Sequence, residues 1–424
     1  MSLVPDRRVL ALADDLTGAA ETAVALRPPA GILLGPVPDP VPDPVPVPDQ
    51  GRALVVDLDS RQLPGAEAAR AVRAVTGSAP AGTVLFKKVD SLLRGNLAPE
   101  ATAYADGCRG VVIATALPAA QRTVRDGVVR LRGVPLHATR AWQAESRPAP
   151  RSVRDALGDL PTAPLPLAVV RGARHALRDA MAAHFAQGRH PVCDAETDAD
   201  LDAIAATALE LGPGVRLLGT GGLAGALGRV LGTLGGTAAP RHADPATLAG
   251  TLGPPRGPTA RGRSLLVVVG TAEPSAAEQV SRLVAEGAHQ VPFTAHALLR
   301  TRQRVEVRPG EVTVVRVAGR PVLAQARRLA AALADTVAEA AHDGDLVLIG
   351  GETARRVLDA LSITHLRPVG QIHHGAVLSH TPDGRRVVTR PGSYGEADSL
   401  LRITRALRPG GAPLVPTDPT GVTP

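Results

Sequence analysis

The chain has 424 residues, 44% hydrophobic but only 1% aromatic, with a formal net charge of +7 at pH 7. That length exceeds one ordinary core and predicts two domains, and a core short of aromatic rings must be built from Ala, Val and Leu, which favours an α/β protein over a sandwich. Arginines spread without a long basic run, and scarce aromatics, argue against nucleic acid; Cys108 and Cys193 form no CxxC pair for a zinc site or disulfide framework, and the absence of a signal-like or spanning apolar run makes the cytoplasm the expected compartment, with no membrane partner.

A strand is predicted from Arg8 to Ala13, followed by Asp14-Asp15-Leu16-Thr17-Gly18 and a helix from about Ala19 to Leu26. Ligands of open α/β sheets sit at the carboxyl ends of strands. Asp14 and Asp15 there read as acceptors for ligand hydroxyls or as a base, with Thr17 beside them, and one of the three is expected to cap the helix. Gly35 to Gln50, a Val-Pro-Asp-Pro tract, reads as an extended surface connection. A strand from Thr83 to Phe86 then enters Lys87-Lys88-Val89-Asp90-Ser91-Leu92-Leu93-Arg94-Gly95-Asn96, which holds both lysines and the single asparagine of the chain. The other 45 of the 47 basic side chains are arginine, so lysine is kept where a compact ammonium is wanted and a planar fork will not serve. Asp90 and Ser91 can bind hydroxyls, Arg94 can fork onto a carboxylate, Lys88 can neutralise a second anionic oxygen, and Asn96 offers a donor and an acceptor. The competing reading is an internal ion-pair cluster, for Lys87 in particular.

Gly110 to Ala114 is a further buried strand. Val215 to Leu218 enters Gly219-Thr220-Gly221-Gly222-Leu223-Ala224-Gly225, a loose dinucleotide-like spacing that reads as close helix–strand packing or a ligand-facing loop. Ala249 to Arg263 reads as a linker between a domain over 1–248 and one over 264–424. The second begins with a strand from Ser264 to Val269, the turn Gly270-Thr271-Ala272-Glu273, and a helix opening on Pro274. A long helix is predicted from Val322 to Ala341. A strand from Asp345 to Ile349 precedes Gly350-Gly351-Glu352-Thr353 and a helix to about Leu361. These turns put free amides at helix N-termini, which suits phosphate, and a third turn spans Arg390 to Gly395 with Gly392 and Ser393. No GxxxxGK[ST] loop exists, so nucleotide phosphates would fall to amides, arginine and a metal ion. His373 and His374 point to opposite faces of a strand and are not read as metal ligands. The tail after Arg408 is expected to fray.

Ala13-Asp14-Asp15-Leu16-Thr17-Gly18-Ala19, the Lys88–Asn96 segment, Leu117-Pro118 with Gln121-Arg122-Thr123 and Gly133-Val134-Pro135-Leu136, and the three glycine turns occur in the order found in the four-carbon acid sugar kinases, and the chain resembles that family over nearly its whole length. The resemblance implies two domains, each a mostly parallel sheet flanked by helices, with the active site in the cleft between them. It implies ATP and Mg²⁺ as cofactors, a small sugar acid as partner, and a homodimer. The reaction implied is transfer of the γ-phosphoryl group to the terminal hydroxyl of a 3-oxo-tetronate, threonate or erythronate. It makes Asp14 and Asp15 catalytic, and gives Thr17, Lys88, Asp90, Ser91, Arg94, Asn96 and Arg122 to the sugar acid. Gly270, Thr271, Gly350, Gly351, Glu352, Thr353, Gly392 and Ser393 fall to the nucleotide. The chain departs from the family at Leu92, usually threonine, at Glu352, usually aspartate, at the first glycine turn, usually serine-rich, and at Arg390-Pro391, usually lysine-serine. Two other readings stand beside this one: a degenerate relative that binds without turnover, and a nicotinamide-dependent dehydrogenase built on the Gly219 turn.

Overall fold

The computed structural model describes residues 8–26, 30–35, 52–143, 145, 147–234, 263–271, 273–301, 303–308, 310–319, 325–341 and 344–408. The Val-Pro-Asp-Pro tract, nearly all of the linker and the tail after Arg408 lie outside these residues. The chain divides into two compact units, Met1–Ala239 and Pro240–Pro424.

The first unit contains β1 (Val9–Ala13), β2 (Ala30–Leu34), β3 (Ala53–Asp57), β4 (Val84–Lys88), β5 (Gly110–Ala114), β6 (Arg122–Arg125), β7 (Val128–Leu131), β8 (Val134–Pro135), β9 (Thr162–Leu165), β10 (His190–Cys193) and β11 (Val215–Gly219). Its main sheet runs β2-β3-β1-β4-β11-β5-β10-β9, every pairing parallel. β1, β4 and β5 are buried along their whole length, as strands covered by helices on both faces must be. In register, Ala13 lies opposite Asp57 and Lys88, and Lys88 opposite Gly219. The loops that follow β3, β1, β4 and β11 therefore leave one edge side by side. β6, β7 and β8 form a separate antiparallel sheet.

The first helix spans Leu16–Ala25 and starts three residues before the expected Ala19. The cause is Asp15, whose Oδ1 accepts the Gly18 amide at 2.9 Å and caps the helix one turn early. The glycine run after β11 proves to be a packing device. A Cβ on Gly219 would lie 2.2 Å from the Ala114 carbonyl oxygen, and one on Gly228 would lie 2.3 Å from that of Ala25. The Gly221–Leu234 helix thus rides on backbone at both ends, which leaves the loose dinucleotide spacing without a ligand to explain.

The second unit contains β12 (Leu265–Val269), β13 (His289–Thr294), β14 (Val312–Ala318), β15 (Asp345–Ile349), β16 (His365–His373), β17 (Ala376–His380) and β18 (Arg386–Arg390). Their order is β13-β14-β12-β15-β18-β17-β16. The first five run parallel, and β17 and β16 complete the sheet antiparallel. Val267, Val347 and Val388 from three neighbouring strands pack with Leu283 and Ile403 from covering helices. Val269 pairs with Ile349, and Ile349 with Arg390, so the three glycine turns leave one edge together. The helix predicted from Val322 to Ala341 is described over Ala326–Ala338, and the one predicted to about Leu361 spans Gly351–Ala360. Among the described residues, no helix is long and apolar enough to cross a membrane.

Gly219→Ala tests the packing. The opposing atom is a main-chain oxygen that cannot rotate away, so the first unit is expected to lose about 1–3 kcal/mol. The chain has one tryptophan, Trp142, in that unit; its fluorescence through a urea titration would show the lower midpoint.

Candidate active site

The two lysines occupy consecutive positions on β4, and successive strand residues face opposite sides of the sheet. Lys87 goes to one side, where its Nζ lies 2.8 Å from Glu100 on the Leu97–Ala105 helix, with both side chains almost wholly buried. Ser60 donates a short hydrogen bond to the same carboxylate. Lys88 goes to the other side, 3.4 Å from Glu21 on the Leu16–Ala25 helix. Its Nζ lies over the capped turn, 3.2 Å from where a Gly18 Cβ would stand. The expected internal pairing of Lys87 is thus observed, and Lys88 is the lysine turned toward the acid turn.

Asp14 and Asp15 are joined by a residue that the sequence reading passed over. Arg61, in the loop after β3, donates from Nε to Asp14 Oδ2 at 2.8 Å, from Nη2 to Asp14 Oδ1 at 3.1 Å, and from Nη1 to Asp15 Oδ2 at 2.8 Å. Thr17 donates to Asp15 Oδ2 at 2.7 Å. Asn96 holds the Arg61 loop in place: its Nδ2 donates to the Ser60 and Leu63 carbonyls, each at 2.8 Å. Both donor hydrogens of the amide are spent on backbone, so the one asparagine fixes a neighbour instead of offering its donors to a ligand. Arg94 is likewise engaged. Its Nε and Nη2 fork onto Asp90 at 2.7 and 3.0 Å, leaving the Nη1 side of a guanidinium that is 32% exposed. Arg122, from β6, donates a short hydrogen bond to Ser91. Of the two readings weighed for the segment, the ion-pair network is observed.

The charges hold each other ionised. Burial alone would raise the Asp14 pKa, but Arg61, with Lys87 and Lys88 behind it, outweighs burial and holds the carboxyl below its usual value. Burial also works against ionised Asp90, and the Arg94 hydrogen bonds overcome it, so Asp90 lies well below the carboxylate range. For Lys88 burial pulls downward, and Glu21, Asp15, Asp14 and Asp90 together lift the ammonium above its ordinary value.

In the second unit, three turns converge. Gly270 leaves no room for a side chain because Thr353 Oγ1 would sit 1.8 Å from its Cβ, and Gly392 is similarly close to Thr271 Oγ1 at 2.4 Å. Gly350 has φ 100° and precedes the Gly351–Ala360 helix without any side-chain cap, so the first-turn amides of Gly351, Glu352 and Thr353 are open. The Glu352 carboxylate is offset by Arg356 at 3.1 Å and Arg327 at 3.5 Å. Ser393 belongs to the third turn, beside Gly392. Under that turn lies Arg390, fully buried, bonded through Nη1 to Ser399, with Nε and Nη2 lacking any partner among the described residues. Burial pushes its pKa down to about 10, as expected of a cation without a counter-charge. The uncapped helix start fits a phosphate group. His373 Nε2 lies 2.9 Å from Ser399 Oγ, and His374 stacks on Tyr394.

Comparison with known proteins agrees with this division. Residues 9–227 match the family model of a sugar-binding N-terminal domain, and residues 266–400 that of a nucleotide-binding C-terminal domain. The chain is 31% identical to a D-threonate kinase of Cupriavidus necator, over 95% of this chain and 99% of that one. It is 32% identical to a D-threonate kinase of Bordetella bronchiseptica, over 94% and 96%. A solved structure from Salmonella typhimurium, described as a putative tRNA synthase, shares the fold with a TM-score of 0.70 at 21% identity, covering 94% of this chain and 99% of its own. A sugar-binding unit followed by a nucleotide-binding unit defines a small-molecule kinase, a phosphotransferase with an alcohol acceptor. The chain belongs to the four-carbon acid sugar kinase family.

Two outcomes follow for the first unit. Lys87→Met strands Glu100 in the core and should cost about 3–5 kcal/mol, read by denaturant titration at Trp142; adding Glu100→Gln should recover part of it. The second concerns pH. The lowered Asp14 and Asp90 stabilise the fold above the ordinary carboxylate range, and that stability is lost as pH falls through their depressed values. The raised Lys88 stabilises below the ordinary ammonium value and is lost only as pH rises past its elevated one. The contribution of these groups should then be flat from about pH 5 to about pH 9 and fall on either side, which a series of denaturation curves would show.

Proposed function

We propose that the chain transfers the γ-phosphoryl group of ATP to the terminal hydroxyl of a four-carbon sugar acid of the D-threonate type. The observation that carries this reading is the cradle in the first unit. Two adjacent carboxylates, Asp14 and Asp15, share it with the cations Arg61, Lys88 and Arg94. Acceptors for hydroxyls thus stand next to donors for a carboxylate, the two functions a sugar acid presents.

The residues divide the work. Asp14 is buried, lowered in pKa and held through both oxygens by Arg61, which makes it a poor base and a good anchor. Asp15 is the more open of the pair, with 16% of its side chain exposed, and its Oδ1 accepts only the Gly18 amide. It is the acid left to accept the proton-bearing end of the attacking hydroxyl and to aim the oxygen. Lys88, the Nη1 side of Arg94 and the Arg122–Ser91 pair hold the acid end of the substrate. In the second unit, the amides of Gly351, Glu352 and Thr353 and the Gly270-Thr271 and Gly392-Ser393 turns would cradle phosphate oxygens. ATP with Mg²⁺ would supply the phosphoryl group and neutralise charge on its oxygens, and the Arg356 and Arg327 pairing of Glu352 lessens the repulsion its carboxylate would offer to phosphate. Catalysis then rests on alignment and charge compensation.

The test is ADP release with ATP, Mg²⁺ and a panel of four-carbon acids. Turnover on D-threonate or a close isomer is expected; no release with any acid, in a protein that D-threonate still stabilises thermally, would identify a non-catalytic binder. Asn caps helices as well as Asp, so Asp15→Asn should fold normally while kcat falls about a hundredfold or more. An unchanged kcat would remove Asp15 from the chemistry.

A further inference from the structure

Positive charge is locally dense despite the absence of basic runs, and residues 300–328 of the second unit carry eight arginines against Glu306 and Glu311. Residues 122–154 carry the same surplus in the first unit, eight arginines against Asp126 and Glu145, a net +6. In the fold this stretch is the β6–β8 sheet and the segment that follows it. It is clamped onto the Asp90–Gly95 loop: Arg122 bonds Ser91, the Trp142 indole donates to the Leu92 carbonyl at 2.7 Å, and Arg147 donates to the Gly95 carbonyl at 2.9 Å. At the other end, the buried Asp194 carboxylate accepts the Asp126 and Gly127 amides at 2.8 and 2.9 Å.

These arginines are largely unneutralised. Arg125 has a carboxylate partner, Glu196, at 3.6 Å with its own side chain 59% exposed. Arg122, Arg130 and Arg147 bond neutral oxygens. Arg132, Arg140, Arg151 and Arg154 are exposed and form no ion pair among the described residues. Arg171, on another part of the unit, is by contrast paired with Glu196 and Asp200. The cradle itself holds no such surplus: Asp14, Asp15, Glu21 and Asp90 are matched by Arg61, Lys88, Arg94 and Arg122.

We infer that the arginine segment is an electrostatic collector for the sugar-acid anion, raising the anion's concentration at the mouth of the cradle. The inference rests on the reading of the cradle as a sugar-acid site. Uncompensated surface charge acts over about one Debye length, roughly 8 Å at physiological salt, and changes capture without touching the bound complex.

The test is the variant Arg132→Gln/Arg140→Gln/Arg151→Gln/Arg154→Gln, none of whose positions contacts the cradle, with circular dichroism to verify folding and the Arg132→Gln/Arg140→Gln pair as a milder form. With D-threonate varied at low ionic strength, kcat should hold while kcat/KM falls roughly three- to tenfold. The wild-type dependence of kcat/KM on salt should flatten, and the two proteins should converge near half-molar salt. Equal kcat/KM and equal salt dependence would overturn the collector. So would unchanged kinetics accompanied by loss of retention on heparin, which would assign the arginines to a polyanion. If wild type releases no ADP with any acid, the kinase reading fails by itself. Calorimetric D-threonate affinity against salt then decides the collector: a steeper salt dependence in wild type supports it, and identical slopes or no binding at all rule it out.

Discussion

Two ammonium groups on consecutive residues of a central strand have to be satisfied on opposite faces of one sheet, and the first unit is arranged around that demand. Lys87 is wholly buried and Lys88 nearly so. Lys87 takes Glu100 from the helix after the Lys88–Asn96 segment, and Lys88 takes Glu21 from the helix after β1. The two helices that cover the sheet are thereby tied to the same strand from either side. Ser60, Arg61 and Asn96 extend the network to a third loop. A buried pair of this kind is weak evidence for net stability, since apolar residues often pack as well. Its clearer effect is positional: each carboxylate and cation in the cradle is fixed by at least one partner outside the hydrolysable or exchangeable contacts a ligand would make.

The second unit solves a different problem with fewer charges. It brings three loops close enough that side chains at Gly270 or Gly392 would collide with Thr353 or Thr271. The parallel register of β12, β15 and β18 makes this convergence unavoidable once the loops are short. What distinguishes the result from ordinary loop packing is Arg390, a buried cation whose Nε and Nη2 find no partner among the described residues. A cation left in that state is costly.

Much of this was legible before the fold was known, for physical reasons. β1, β4 and β5 are continuous apolar runs because helices cover both their faces, and such runs stand out in a chain with few aromatics. The acid turn and the lysine segment stood out because their residue types are rare or doubled. Arg61 did not, since one more arginine in a chain with 45 of them carries no signal; the available clue was its place just beyond a strand end. Asn96 was visible as a rarity but misread in purpose, because composition cannot say whether an amide faces a ligand or a neighbouring loop. A cap was expected among Asp14, Asp15 and Thr17, but nothing in the sequence says which; with Asp15 as the cap, the first helix begins at Leu16 and not at Ala19. The arginine concentration escaped a search for consecutive basic residues because its charges are spaced by apolar and turn residues, and only a count of net charge along the chain finds it.

The scarcity of lysine has a practical side. Lys87 is 0% exposed and Lys88 5%, and no other lysine exists in the chain. Amine-directed reagents therefore meet no accessible lysine side chain on the folded protein. Acyl-transfer modifications that decorate surface lysines in other proteins have no substrate here either. Acylation at Lys87 requires β4 to part from the Leu97–Ala105 helix, so covalent labelling there would act as a clock for the opening of the first unit.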